Sequence, residues 1–170
     1  MKRGCNIPSM CSLCSNSIEN SFHLFFQCPF AVKLWSWLAS TLVKVLHFQS
    51  VEDIWKLCDL AWSPQCKIVV KAALINLINT IWYVRNQSRF NDKNITWRMA
   101  VNMIISNTSL SGNFTTKASN NSIRDFIILK KFNITIHHPK APQIKEVIWH
   151  PPVHFWLKCN IDGASKGNPG

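Results

Sequence analysis

Cys11-Ser-Leu-Cys14 is followed by His23 and then by Cys28-Pro29, a C-x2-C-x8-H-x4-C pattern. The first pair offers two thiolates on one tight knuckle, which suits one side of a tetrahedral ion. His23 and Cys28 supply the other side. Three thiolates and one imidazole form a closed set with no open position, the arrangement of a structural rather than a catalytic zinc site. Soft sulfur ligands favour zinc over magnesium or calcium. His23 and Cys28 are five residues apart, which on a regular α-helix is about 140° around the axis. A helix carrying His23 must therefore end before Cys28. Pro29 supports that break, because a proline pushes its predecessor out of helical geometry and favours the first turn of a new helix. Cys28 would then sit at a helix N-terminus, where the dipole favours a thiolate.

Upstream, Met1-Lys2-Arg3-Gly4-Cys5-Asn6 has no apolar core and does not read as a secretory signal. No uninterrupted apolar run approaches the roughly 20 residues of a membrane span. The best candidate, 68–84, is broken by Lys71, Asn76, Asn79 and Thr80. These features predict a soluble, intracellular chain with no membrane partner, in the nucleus or the cytoplasm. In a reducing compartment, spaced cysteines argue for metal before disulfides. Cys5, Cys58, Cys66 and Cys159 have no partner at ligand spacing and read as buried or free thiols. Phe22, Leu24, Phe25 and Phe26 flank the histidine. They read as the small core around the metal site, with base stacking as the alternative.

Downstream the pattern is helical. Leu34, Trp35, Leu38, Leu42, Val45 and Leu46 recur at helical spacing, and Ile54, Trp55, Leu57 and Leu60 mark a short second segment over 51–61. A third helix over 66–90 places Val70, Leu74, Leu77, Ile81 and Val84 on one stripe. Ile75, Ile78 and Trp82 widen it and predict deep burial. Its end, Arg85-Asn86-Gln87-Ser88-Arg89, suits the helix dipole or, alternatively, a phosphate. A fourth helix is expected over 95–106. Residues 106–122 are polar and low in complexity and read as a loop or linker. The class of 123–136 is ambiguous, and the proline-rich 137–152 reads as an extended connector.

The chain has 170 residues and a net charge of +11. Residues 1–66 hold five basic and four acidic side chains, net +1, and residues 67–170 hold fourteen and four, net +10. Such a balance points to an anionic partner, most often nucleic acid. Near the end, Trp156-Leu-Lys-Cys-Asn-Ile-Asp162 alternates, with Leu157, Cys159 and Ile161 on one face, and predicts a strand. It runs into Gly163-Ala-Ser-Lys-Gly167-Asn168-Pro169-Gly170. Taken by residue type alone, this is a hairpin turn, or else a carboxylate at a strand end beside a phosphate-approaching loop.

The contiguous Asp162-Gly-Ala-Ser-Lys-Gly-Asn-Pro-Gly170 resembles the opening strand and loop of type 1 ribonuclease H domains. The front, with Cys-x2-Cys and then His23-Leu-Phe-Phe-Gln-Cys-Pro-Phe-Ala31, resembles the reverse-transcriptase zinc-binding domain of plant non-LTR retroelements. Ile81-Trp82-x-x-Arg85-Asn86 and the Trp149-x-Pro151-Pro152 approach to Trp156 are similar to the segment joining those modules. The resemblance implies a mainly α chain: a zinc-binding helical domain over 1–100, shortened at its start, a flexible linker over 101–152, and the first β-strand of an α/β ribonuclease H-like domain over 153–170. It implies zinc held by Cys11, Cys14, His23 and Cys28. It implies Asp162 as the first catalytic carboxylate, Gly163 and Asn168 as contacts to an RNA–DNA hybrid, and magnesium only in a complete ribonuclease H site. Such a site activates water with two magnesium ions. Its other carboxylates would lie past position 170, so the chain as written is expected to lack hydrolytic activity. The expected partner is nucleic acid, as hybrid or single strands. The competing class is a non-enzymatic, zinc-stabilised protein-interaction module.

Overall fold

The computed structural model describes residues 10–45, 51–120, 122–140 and 153–156. The chain divides into two compact units, Met1–Pro139 and Lys140–Gly170. The strand expected over 156–162 lies almost wholly outside the described residues. In the second unit, Val153–Trp156 forms a turn closed by a Trp156 N–H to Val153 O bond of 2.9 Å.

The first unit is helical. A π-turn at His23–Gln27 leads into α1 (Pro29–Leu42), α2 (Val51–Cys58), α3 (Pro64–Asn91), α4 (Trp97–Asn113) and α5 (Ile123–Lys131). Among the described residues, β pairing is limited to one antiparallel bridge, Met10 to Ile18. Three helices begin on hydroxyl caps. Ser63, Thr96 and Ser122 accept from the N–H groups of Cys66, Met99 and Asp125, each satisfying a donor that the first turn leaves unpaired. Pro64 holds the first position of α3, where its missing N–H costs nothing.

α3 is the spine. It packs along α4 and also touches α2, α5 and the π-turn, while α1 crosses α4 and α5. The predicted stripe Val70, Leu74, Leu77, Ile81 and Val84 is buried throughout. The predicted widening holds at Ile78, which packs partly buried against the core, and is corrected at the other two positions. Ile75 is 48% and Trp82 49% exposed, and the core instead takes Val69, Ala73 and Thr80 on the other flank. By length and composition α3 could cross a membrane, but 44% of its most apolar window is buried in this helical unit. The first helix is shorter than its periodicity: α1 ends at Leu42, where Val43 turns left-handed (φ 53°), and Val45 is exposed.

The largest departure concerns the stretch read as a linker. α4 continues through Ser106 to Asn113, and α5 occupies the ambiguous segment. Serines and glycine disguised α4. Gly112 is there for close approach, since a Cβ would lie 2.5 Å from the Ile134 side chain. Thr108 is buried and accepts from Asn76 Nδ2 at 3.2 Å. Residues 118–119 and 135–137 are stitched to α3 by backbone and amide bonds. Gln65 N donates to Ala118 O, Gln65 Nε2 to Thr135 O, His137 N to Gln65 Oε1, and Ser119 N to His137 O.

Asp125 fastens this arrangement. It is fully buried, and its Oδ2 accepts from Ser63 N at 2.7 Å while its own N–H donates to Ser122 Oγ. One carboxylate thus joins the starts of α3 and α5. Cys66 lies beside it; burial first, and the Asp125 charge second, push that thiol up to about 12. Asp125→Ala should destabilise the unit by about 2–3 kcal/mol, the value of a lost charge-assisted bond plus an uncapped buried N–H. Asp59→Ala, on the surface, should leave the urea midpoint unchanged. Tryptophan fluorescence during urea unfolding would measure both.

Candidate metal centre

The knuckle is built by backbone bonds. Cys11 N–H donates to Ser17 O and Ser15 N–H to Cys11 O, both at 2.8 Å, and Ser15 sits at φ 55° to turn the chain. Asn20 Oδ1 then accepts from His23 N at 2.8 Å and starts the π-turn. The break expected before Cys28 is present, in the form of a wider π-turn rather than a simple helix end. A π-turn bonds each carbonyl to the N–H five residues on, and Cys28 N–H reaches His23 O at 2.6 Å. The five-residue spacing is therefore spanned by one hydrogen bond. Cys28 itself is extended (ψ 131°) and caps α1, with Pro29 behind it.

These turns bring the ligand atoms of Cys11, Cys14, His23 and Cys28 within 4.8 Å of one another. Cys11 Sγ lies 3.9 Å from Cys28 Sγ, and Cys14 Sγ lies 3.3 Å from His23 Nε2. Tetrahedral zinc, with bonds of about 2.3 Å to sulfur and 2.0 Å to nitrogen, separates two sulfurs by about 3.8 Å and a sulfur–nitrogen pair by about 3.5 Å. The donor set and its spacing fit zinc. The electrostatics ask for a cation as well. Burial pushes the Cys28 thiol up to about 12, and the Cys11 and Cys14 charges add to it against the helix-terminal N–H groups of Phe30 and Ala31. At Cys14 burial also opposes ionisation. Bonds from Asn16 N–H and from the neighbouring thiols outweigh it, so its pKa lies below the ordinary value. Burial thus opposes a thiolate at both Cys14 and Cys28, and a bound cation would offset that cost.

The aromatic cluster is packing. Leu24 is buried, Phe25 and Phe26 partly so, Phe26 stacks on Trp35 at 6.1 Å, and Trp35 Nε1 donates to Phe25 O at 2.7 Å. Phe22 stays 42% exposed beside Phe26.

The end of α3 clamps the knuckle, which sequence reasoning missed. Arg85 Nε donates to Glu19 Oε1 at 3.0 Å and its Nη2 binds the same oxygen; Arg89 Nη1 lies 3.5 Å away. Both partners of the inner pair are about nine-tenths buried. Ser88 Oγ adds a bond to Ser12 O at 3.0 Å. Arg85 is thereby a structural partner of Glu19, and its guanidinium is already engaged rather than held out for a phosphate. Burial raises the Glu19 carboxyl, but the Arg85 hydrogen bonds and charge, with Ser12 N–H and Arg89, bring it below the ordinary value. Only the position of Glu19, an isolated acid between the CxxC pair and His23, hinted at this role. Nothing local in sequence couples it to a residue 66 positions away.

Asp162, Gly163 and Asn168 lie outside the described residues, as do Cys5 and Cys159. Cys58 and Cys66 are buried free thiols.

Removing Arg85 strands a buried carboxylate, so Arg85→Ala should cost about 3–5 kcal/mol at neutral pH, and Arg89→Ala much less. Glu19 has a lowered pKa, so its contribution is present above about pH 4.3, the ordinary glutamate value, and disappears as pH falls through the lower folded value. Denaturant titrations from pH 7 to pH 3 should show that acid loss in the parent chain.

Residues 1–35 match the family model for zinc-binding in reverse transcriptase. The chain is 20% identical over 180 residues to an Arabidopsis thaliana protein named as a ribonuclease H protein. That alignment covers 99% of this chain and 25% of the relative, so the chain spans about a quarter of the relative's length. No solved structure matches the chain. The front of this chain, including all four clustered ligands, thus resembles the zinc-binding region of reverse transcriptases, and its whole length is similar to part of a protein named for ribonuclease H.

Proposed function

We propose that this is a retroelement-derived, nucleic-acid-binding chain whose front is folded around one structural zinc ion. Cys11, Cys14, His23 and Cys28 hold the metal. The observation that carries the reading is their convergence within 4.8 Å, inside the stretch that matches the reverse-transcriptase zinc-binding family. Four protein ligands close the coordination sphere, so the ion supplies folding energy rather than a reactive water. Its ligands must stay reduced, which fits an intracellular setting.

Nucleic acid as partner is supported by the net +10 of residues 67–170 and by the name of the Arabidopsis relative. Within the proposal, the zinc-binding helical domain read over 1–100 extends through α4 and α5 in the unit that ends at Pro139, and 153–170 open a ribonuclease H-like domain. Asp162 would be that domain's first carboxylate, with Gly163 and Asn168 meeting an RNA–DNA hybrid. Hybrid cleavage belongs to the complete carboxylate cluster and its magnesium ions.

Two linked measurements test this. The purified chain should carry stoichiometric zinc, and Cys14→Ser should lose most of it with a drop in helicity. The zinc-loaded chain should bind single strands and RNA–DNA hybrid at low salt and release them steeply as salt rises. Unchanged zinc in the variant would refute the metal assignment. Absence of binding at low salt would favour a zinc-stabilised protein-interaction module.

A further inference from the structure

α3 carries Lys67, Lys71, Arg85 and Arg89 and no Asp or Glu. Lys71, Ile75, Ile78, Trp82, Arg85 and Arg89 recur at three- and four-residue spacing and so share one side of the helix. Ile75, Ile78 and Trp82 are the residues expected to widen the core stripe, yet of this side only Ile78 packs partly against the core and Arg85 is largely buried on Glu19, while Lys71, Ile75, Trp82 and Arg89 are exposed. Phe90, at its end, is 70% exposed. The two exposed rings are not loose. The Arg85 guanidinium lies 5.2 Å from the Trp82 ring centre and 5.8 Å from that of Phe90. That guanidinium is itself fixed by Glu19, beneath the metal knuckle. Two rings are thus splinted by a buried ion pair, about 12 Å apart along the axis, on a helix with no negative side chain.

We infer that this end of α3 is a stacking platform for single-stranded nucleic acid, with bases on Trp82 and on Phe90, which lies about 80° further round the helix, and phosphates drawn to Lys71. The inference deepens the nucleic-acid reading and rests on it. The occupant follows from the chemistry. Aromatic faces accept unpaired bases of any sequence, and basic side chains beside them track the backbone. A duplex keeps its bases inside the stack and offers the rings nothing. An acidic peptide would meet the charges while leaving both rings uncovered. Preorganised rings also lose little side-chain freedom on binding.

The test is fluorescence anisotropy with a labelled oligothymidylate and the full, zinc-loaded chain. Trp82→Ala and Phe90→Ala should each weaken binding about tenfold, within the range for loss of one stacked base, while zinc content and helicity stay unchanged. Trp82→Phe should retain most of the affinity. Lys71→Gln should reduce the salt slope by about 0.7, the single-strand value for one phosphate contact. Oligothymidylate should also quench the parent's tryptophan emission more than that of Trp82→Phe. If the parent binds the strand and both ring variants bind equally well, the platform is overturned while the nucleic-acid reading stands. If the parent binds neither oligothymidylate nor RNA–DNA hybrid at low salt, both fall together.

Discussion

Three sulfur atoms and an imidazole nitrogen gathered within 4.8 Å impose the constraint on which the front of this chain depends. Burial first, and the neighbouring Cys11 and Cys14 charges after it, oppose a thiolate at Cys28. A divalent cation would offset both, and the spacings of 3.9 Å and 3.3 Å fit tetrahedral zinc. Residues 10–28 contain one bridge, one knuckle and one π-turn. Such a segment has little regular hydrogen bonding of its own, and crosslinking at a metal is a physical means of ordering it.

The cluster is also tied to the helical unit. Cys28 caps α1, Glu19 is seized by Arg85 of α3, and Ser12 O is held by Ser88. The same α3 begins under Asp125, whose carboxylate joins it to α5. One helix is therefore gripped by a buried carboxylate near each end, Asp125 at its start and Glu19 toward its finish. This links order at the ligand cluster to order across residues 64–131, and leaves the remaining side of α3 open to solvent around Trp82 and Phe90.

Much of this was legible in sequence, and the exceptions have identifiable causes. The ligand set and the break at Cys28-Pro29 follow from spacing and from proline's stereochemistry. The deep stripe of α3 follows from its period. Its flank was misread because isoleucine and tryptophan were taken as buried by type, whereas Val69 and Ala73 fit the tighter contact with neighbouring helices. The end of α4 was hidden by Ser109, Ser111 and Gly112, residues that usually signal loops. Here Gly112 admits Ile134 against the helix. The Ser122-x-x-Asp125 capping pattern was present and would have marked α5. The long-range pairs, Glu19 with Arg85 and Ser63 with Asp125, leave no local trace, because folding rather than spacing brings them together.

Zinc-edge X-ray absorption on the purified chain tests the central claim most directly. The account predicts three sulfur neighbours at about 2.3 Å and one nitrogen at about 2.0 Å. An oxygen-dominated shell, or a chain that keeps its helicity and three freely alkylated thiols at Cys11, Cys14 and Cys28 with no bound zinc, would contradict it.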